Sequence, residues 1–309
     1  MLELLYKMQP LDYVYLLIGI ILVIFSIQSF LDKEHKHRIG TGLFWLLYGI
    51  SFIFGSYLSK EINGWLVIAM AAIVLFKQLG KGNYFESAVD FKKLEALRIG
   101  NVIFIPALLV GIITFIIGFF TKLGALVGLA IASIIALCVA LYITKANVTQ
   151  SFHEGRRLLD AIGWTAILSQ LLAALGYLFN LAEVGKLISS MVASIVPADN
   201  MFLVVVAYCI GMAFFTMIMG NAFAAFAMIT SAIGVPMLVV GHGANPAIIG
   251  PIAMLAGYCG TLMTPMAANF NIVPVALLEM KDTYGVIKAQ IPVAIVMLTL
   301  NILLMYYFL

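Results

Sequence analysis

The chain has 309 residues, 64% of them apolar or aromatic and only 10% charged, with a formal net charge of +3. A soluble domain carries about 25% charged residues and about 45–50% apolar ones. This composition therefore excludes soluble enzymes, nucleic-acid binders and disulfide-stapled secreted scaffolds together. It leaves an all-α polytopic membrane protein, a single integral-membrane domain of about 8–10 transmembrane helices with two broken or re-entrant hairpins.

Glu3 and Asp12 stand before the first apolar run, and no small-residue cleavage pattern follows it, so the first span is expected to stay as an anchor. Apolar windows predict spans at 13–30, 39–58, 65–76, 102–120 and 125–143. The third is short and has to draw on its flanks. Residues 82–101 are mixed in charge and read as a loop with an interfacial helix. Basic residues gather in alternate gaps: Lys33, Lys36 and Arg38; then Lys77, Lys81, Lys92, Lys93 and Arg98; then Lys145, Arg156 and Arg157. The remaining gaps hold Lys7, Lys60 and Lys122. The positive-inside rule then puts the N-terminus outside and the basic gaps in the cytoplasm. His35, His37 and His153 fall in those gaps and read as solvated loop residues. Residues 1–160 thus form a five-helix scaffold region.

The pattern changes in 161–309, the expected transport region. The stretch 161–181 is long enough to cross, but Ser169-Gln170 interrupts its middle and Glu183 and Lys186 follow soon after. A simple span and a re-entrant hairpin both fit. No Asp, Glu, Lys or Arg occurs in 201–278, a run of 78 residues and enough for three or four crossings. Within it, 201–219 reads as a span ending at Gly220-Asn221. The next stretch, 222–240, reads as broken at Gly234-Val235-Pro236, with a turn from Gly241 to Pro246. Residues 248–278 read as a second broken helix, interrupted at Thr264-Pro265. The last span is 291–309; Lys281 and Lys288 precede it and no charge follows, which places the C-terminus outside. Gly163, Trp164, Leu168, Ala173 and Ala174 recur as Gly257, Tyr258, Leu262, Ala267 and Ala268 at an offset of 94, by chance or by internal duplication.

Buried amides are costly unless hydrogen-bonded. Asn221, Asn269 and Asn271 therefore either tie helices together or meet a solute. Thr264-Pro265 and Pro274 bracket Asn269 and Asn271, and proline opens a helix by removing a backbone donor. Opened helices present N–H groups to a carboxylate and free carbonyls to Na+. Gly260, Thr261 and Thr264 are candidates for presenting N–H groups to the carboxylate, and Asn221, Asn269 and Asn271 for side-chain contacts. Ser169 and Gln170 would supply the opposite pole. No carboxylate lies between Asp199 and Glu279, so Na+ coupling is favoured over a self-contained proton pump. Beyond Na+ no cofactor is expected. The three cysteines show no metal or disulfide spacing and read as small core residues.

These motifs resemble a bacterial permease family, one of two membrane subunits of a 5-oxoproline (pyroglutamate) transporter and long known only as a domain of unknown function. The likeness is most specific in EGRRLLDAIGWTAILSQLLAALG (154–176), MIMGNAFAAF (217–226) and GYCGTLMTPMAANFNIVP (257–274). That family often has proline where Ser169 stands here. The resemblance implies a bilayer-embedded carrier in the cytoplasmic membrane, working with a second, smaller membrane subunit or as a homo-oligomer. It also implies distant kinship with the ion-transporter superfamily, with two hairpin-bearing repeats and elevator-like movement. Three other classes stay open: a non-transporting scaffold for a partner permease, an intramembrane enzyme built on His242, Tyr258 and Cys259, and a channel.

Overall fold

A computed structural model describes residues 8–82, 84 and 89–309, apart from the side chains of 89–92 and 180. Glu3, Lys7 and part of the 82–101 stretch lie outside the described residues. The rest is helix and connecting loop, with no strand among the described residues. The helices are α1 (Pro10–Leu31), α2 (Arg38–Phe54), α3 (Lys60–Leu75) and α4 (Val89–Ile99), which runs through a 3-10 turn into α5 (Ile105–Phe120). Next come α6 (Ala125–Thr144), α7 (Val148–Ile162), α8 (Thr165–Leu181) and α9 (Val184–Ile195). Then follow α10 (Met201–Met219), α11 (Ala222–Ile229), a π-wound segment (Thr230–Val240), α12 (Pro246–Leu262), α13 (Ala268–Leu277) and α14 (Gly285–Tyr307).

Among the described residues six helices are long and apolar enough to cross a bilayer, or seven if the bent pair Val148–Ile162 and Thr165–Phe179 makes one span. Four further helices, α2, α9, α12 and α13, are apolar but only 10–17 residues long. The protein is a multi-pass membrane protein. The chain divides into two compact units, Met1–Ala161 and Ile162–Leu309.

In the first unit α1 and α2 meet through small residues. A Cβ on Gly19 would lie 2.9 Å from the Gly49 carbonyl oxygen, and one on Gly49 would lie 3.0 Å from that of Gly19. Backbones approach this closely only where side chains are absent. Ser26 adds a 2.6 Å hydrogen bond to the Gly42 carbonyl. Near the C-terminal end of α7 a buried polar cluster assembles. Arg156 Nη2 donates to Asp32 Oδ2 at 2.8 Å and its Nε lies 3.7 Å from Asp160 Oδ2. Trp45 Nε1 donates to Asp160 Oδ1 at 2.7 Å, and the Tyr84 hydroxyl donates to Asp160 Oδ2. Burial, followed by the neighbouring Asp160, raises the Tyr84 hydroxyl above its ordinary pKa. The phenol therefore stays a donor throughout the neutral range. His35 is not solvated as the sequence suggests: only 3% of it is exposed, and its Nδ1 accepts from the His37 N–H at 3.0 Å.

In the second unit α10 is the central rod, with Tyr208, Cys209 and Met212 fully buried. It packs on α12, where Gly260 faces the Ala213 backbone so closely that any Cβ would overlap its carbonyl oxygen. Gly260→Ala should therefore push the two helices apart and cost about 1–3 kcal/mol. Thermal unfolding in detergent reads this as a lower midpoint.

Two expected breaks are absent. Helix α8 runs unbroken through Ser169-Gln170, and the chain instead breaks at Gly163-Trp164, where Gly163 has φ +55°. Serine keeps the backbone N–H that proline would remove, so nothing forces an opening at position 169. Likewise 222–240 continues past Gly234 and Pro236 by widening into π turns. Longer i→i+5 turns accommodate a proline without severing the helix. The helix break at Thr264-Pro265 is present, between α12 and α13. The two copies of the 94-residue offset fall on different structures: Gly163-Trp164 lies at a break, whereas Gly257-Tyr258 lies inside α12.

Candidate functional site

Two helices in the second unit begin beside the same hollow. Gly220 adopts φ +63°, which turns the chain sharply out of α10. A side chain there would also meet the Met266 carbonyl, at 2.5 Å from a Cβ, so glycine alone fits. The next residue, Asn221, caps α11: its Oδ1 accepts from the N–H groups of Phe223 (2.9 Å) and Ala224 (3.4 Å). With that oxygen committed, the Asn221 side chain offers its NH2 pole, which makes no hydrogen bond among the described residues. Helix α13 begins after Ala267, which has no capping side chain. Its first N–H groups are therefore unfilled by a cap, and they carry the positive end of the helix dipole.

These starts line a cavity of about 170 Å3. Around it stand Ser169, Asn221, Thr261 and Asn269, with Tyr258 and Phe270 as aromatic walls. Thr261 donates its hydroxyl to the Tyr258 carbonyl at 2.6 Å, leaving its oxygen as an acceptor. Four of the eight sequence candidates thus come together at one hollow.

The other four do different work. Asn271 is fully buried, and its Nδ2 donates to the carbonyls of Thr261 (2.7 Å) and Thr264 (2.6 Å). It satisfies the carbonyls that the Thr264-Pro265 break sets free. Thr264 donates its hydroxyl to the Met217 carbonyl at 2.8 Å and accepts from the Met266 N–H at 3.2 Å. Together they fasten the break to the end of α10. Gly260 is a helix-packing contact, as above. Gln170 does not line the cavity, and its buried Oε1 has no hydrogen-bond partner among the described residues. Asn271→Ala should therefore act on folding as well as on any solute. Two buried carbonyls lose their donor, at about 1–3 kcal/mol each, and the unfolding midpoint should fall even with no solute present.

Phe223 and Phe270 were not singled out in the sequence, and Tyr258 was named there only for the enzyme alternative, yet all three line the cavity. Nothing in the spacing of Phe223, Tyr258 and Phe270 separates them from lipid-facing aromatics, and only the closeness of the Phe223 and Tyr258 rings (6.3 Å, edge to face) marks them.

A family description, protein of unknown function (DUF979), matches residues 12–309. The chain belongs to the DUF979 family. No curated protein and no solved structure matches it. The match takes in both units, from near the start of α1 to the end of α14, so the hollow at Asn221 lies in a chain that the DUF979 description covers almost throughout.

Proposed function

We propose that this DUF979 chain is a subunit of a secondary carrier for a small organic anion, moved by alternating access and coupled to an ion gradient. The observation that carries this reading is the pair of helix starts, one capped by Asn221 and one uncapped, around a single small cavity. Such a site binds a carboxylate through N–H dipoles and needs no arginine in the hydrocarbon. Its volume is below the roughly 300–1,000 Å3 of drug-sized sites, in keeping with a compact solute. The motif resemblance points to 5-oxoproline. Its carboxylate suits Asn221 and the α13 start, and its lactam N–H suits the Thr261 oxygen and the Asn269 amide.

Na+ is the proposed coupling ion. Asn271 Oδ1 and Thr216 Oγ1 are buried without a hydrogen-bond partner among the described residues, and such neutral oxygens suit that cation. The expected orientation, with the basic gaps in the cytoplasm, and the smaller partner subunit are parts of the same proposal. Catalysis is not: the His242 ring engages the Ala198 carbonyl at 2.8 Å, while Cys259 faces Asn301 at 3.6 Å. One finding favours a non-transporting scaffold instead. The unbroken α8 removes the opening expected at Ser169.

Uptake of labelled 5-oxoproline into proteoliposomes separates the readings. The chain with its partner subunit should give saturable uptake driven by a Na+ gradient, and Asn269→Ala should weaken it about tenfold, the loss of one hydrogen bond of roughly 1.4 kcal/mol. Full uptake by the partner alone would leave the scaffold reading.

A further inference from the structure

A second, larger cavity also borders Asn221. It measures about 740 Å3 and lies within the second unit, between the α8–α9 pair and the helix formed by α11 and its π-wound continuation. It is roomy because small residues face it, among them Ala173, Gly176, Gly185 and Ala224. Asn221 borders both cavities. Ser189 and Ser231 stand on opposite walls, and Lys186 and Glu183 sit at the side formed by α9. Lys186 Nζ lies 2.6 Å from Glu183 Oε1, and both side chains are well exposed, at 77% and 63%. An exposed pair of this kind opens at little cost. Glu183 also holds a left-handed backbone, φ +51°, at the turn joining α8 to α9. The turn thus keeps the pair at the cavity. Lys186 is the one cation lining either cavity among the described residues.

We infer that the larger cavity is an aqueous vestibule holding a second, weaker anion site, where a carboxylate displaces Glu183 from Lys186 before passing to the Asn221 amide. This rests on the carrier reading above and adds where the solute first docks and what recruits it. Once Glu183 swings away, the Lys186 ammonium beside a low-dielectric cleft raises the local concentration of anions, and salt screens that effect. The inner site then needs no charge of its own, because the vestibule supplies the attraction and Asn221 supplies the donor. The size difference follows the same order: the outer hollow admits a hydrated anion and the inner one a stripped one.

Two measurements test this. The first places a thiol on the far wall, as Ser231→Cys in a Cys138→Ser background, in purified protein reconstituted into vesicles. A negatively charged methanethiosulfonate should label it above the Cys138→Ser background, and 5-oxoproline should slow labelling at least twofold. Labelling by an uncharged, lipid-soluble reagent alone means that acyl chains fill the cavity and overturns the inference, as does charged labelling that the anion leaves unchanged. The second measurement is uptake by Lys186→Gln with the partner subunit present. The apparent KM should rise about three- to tenfold at low ionic strength with maximal rate retained, and the difference should shrink in high salt. Glu183→Gln should lower KM under the same conditions. A KM unmoved in both variants also overturns the inference. If the parent takes up no 5-oxoproline yet charged labelling at position 231 is slowed by it, the vestibule stands and the carrier reading falls.

Discussion

Asn221→Asp should abolish uptake while leaving helix α11 in place. An aspartate carboxylate accepts the Phe223 and Ala224 N–H groups as the asparagine oxygen does, and an acidic cap is favourable at a helix start. What changes is the other pole, where an NH2 donor becomes a negatively charged oxygen facing the incoming solute. Losing a donor and gaining a like charge should lower uptake by roughly 100-fold or more, about 2.7 kcal/mol. Asn221→Ala provides the contrast. It loses the cap as well as the donor, so uptake falls and the unfolding midpoint falls with it, by about 1 kcal/mol of helix stability. Proteoliposome uptake and thermal unfolding, measured side by side, make the comparison. Normal uptake by the aspartate variant would remove Asn221 from the site.

Arg156→Met should produce the largest loss of stability in the first unit. The arginine side chain is 7% exposed, and its partners Asp32 and Asp160 are 13% and 0% exposed. Methionine fills much of the same volume but leaves two carboxylates facing each other without the cation between them. Breaking a buried pair from one side costs about 3–5 kcal/mol, mainly because the stranded charge stays desolvated. Asp160→Asn in the same chain should recover part of that loss, since it removes one of the stranded charges. Tyr84→Phe should cost less, about 1.5–3 kcal/mol, for one hydrogen bond to a charged acceptor. Its contribution is present below the ordinary tyrosine range and persists until pH exceeds the raised Tyr84 value. The midpoint difference between Tyr84→Phe and the parent should therefore hold steady from neutral pH to about pH 9. A difference that vanished near neutrality would contradict the hydrogen bond to Asp160.

The long apolar spans were legible because lipid demands continuous hydrophobicity, and α1, α6, α10 and α14 fall close to the windows read from composition. The end of α10 at Gly220-Asn221 was legible too, whereas the capping of α11 by Asn221 was not read from the sequence. The fate of Ser169 was not legible either. A polar pair in an apolar helix reads the same whether it opens the helix or lines its surface, and the backbone N–H of serine decided for the surface. Thr264-Pro265 did break its helix, yet spacing could not say which nearby amide would meet the freed carbonyls. Packing gave that task to Asn271 and left Asn269 exposed. The Arg156 cluster escaped notice for another reason. Asp32, Trp45, Tyr84 and Asp160 are scattered across 129 residues, and a charge count reads the two aspartates as loop residues and passes over the uncharged Trp45 and Tyr84.

None of the 16 residues of α5 is buried. Whatever medium bathes this rod must be as oily as the rod itself. Shape is then free to drift along it: leucine for Phe115 or Phe119 forfeits no jigsaw fit, because no jigsaw exists there. Polarity is not free, since arginine at the middle of such a rod costs about 2.5–3.5 kcal/mol in insertion. Tolerance of substitutions along α5 is thus governed by oil–water partitioning, whereas at Trp45 or Tyr208 it is governed by volume.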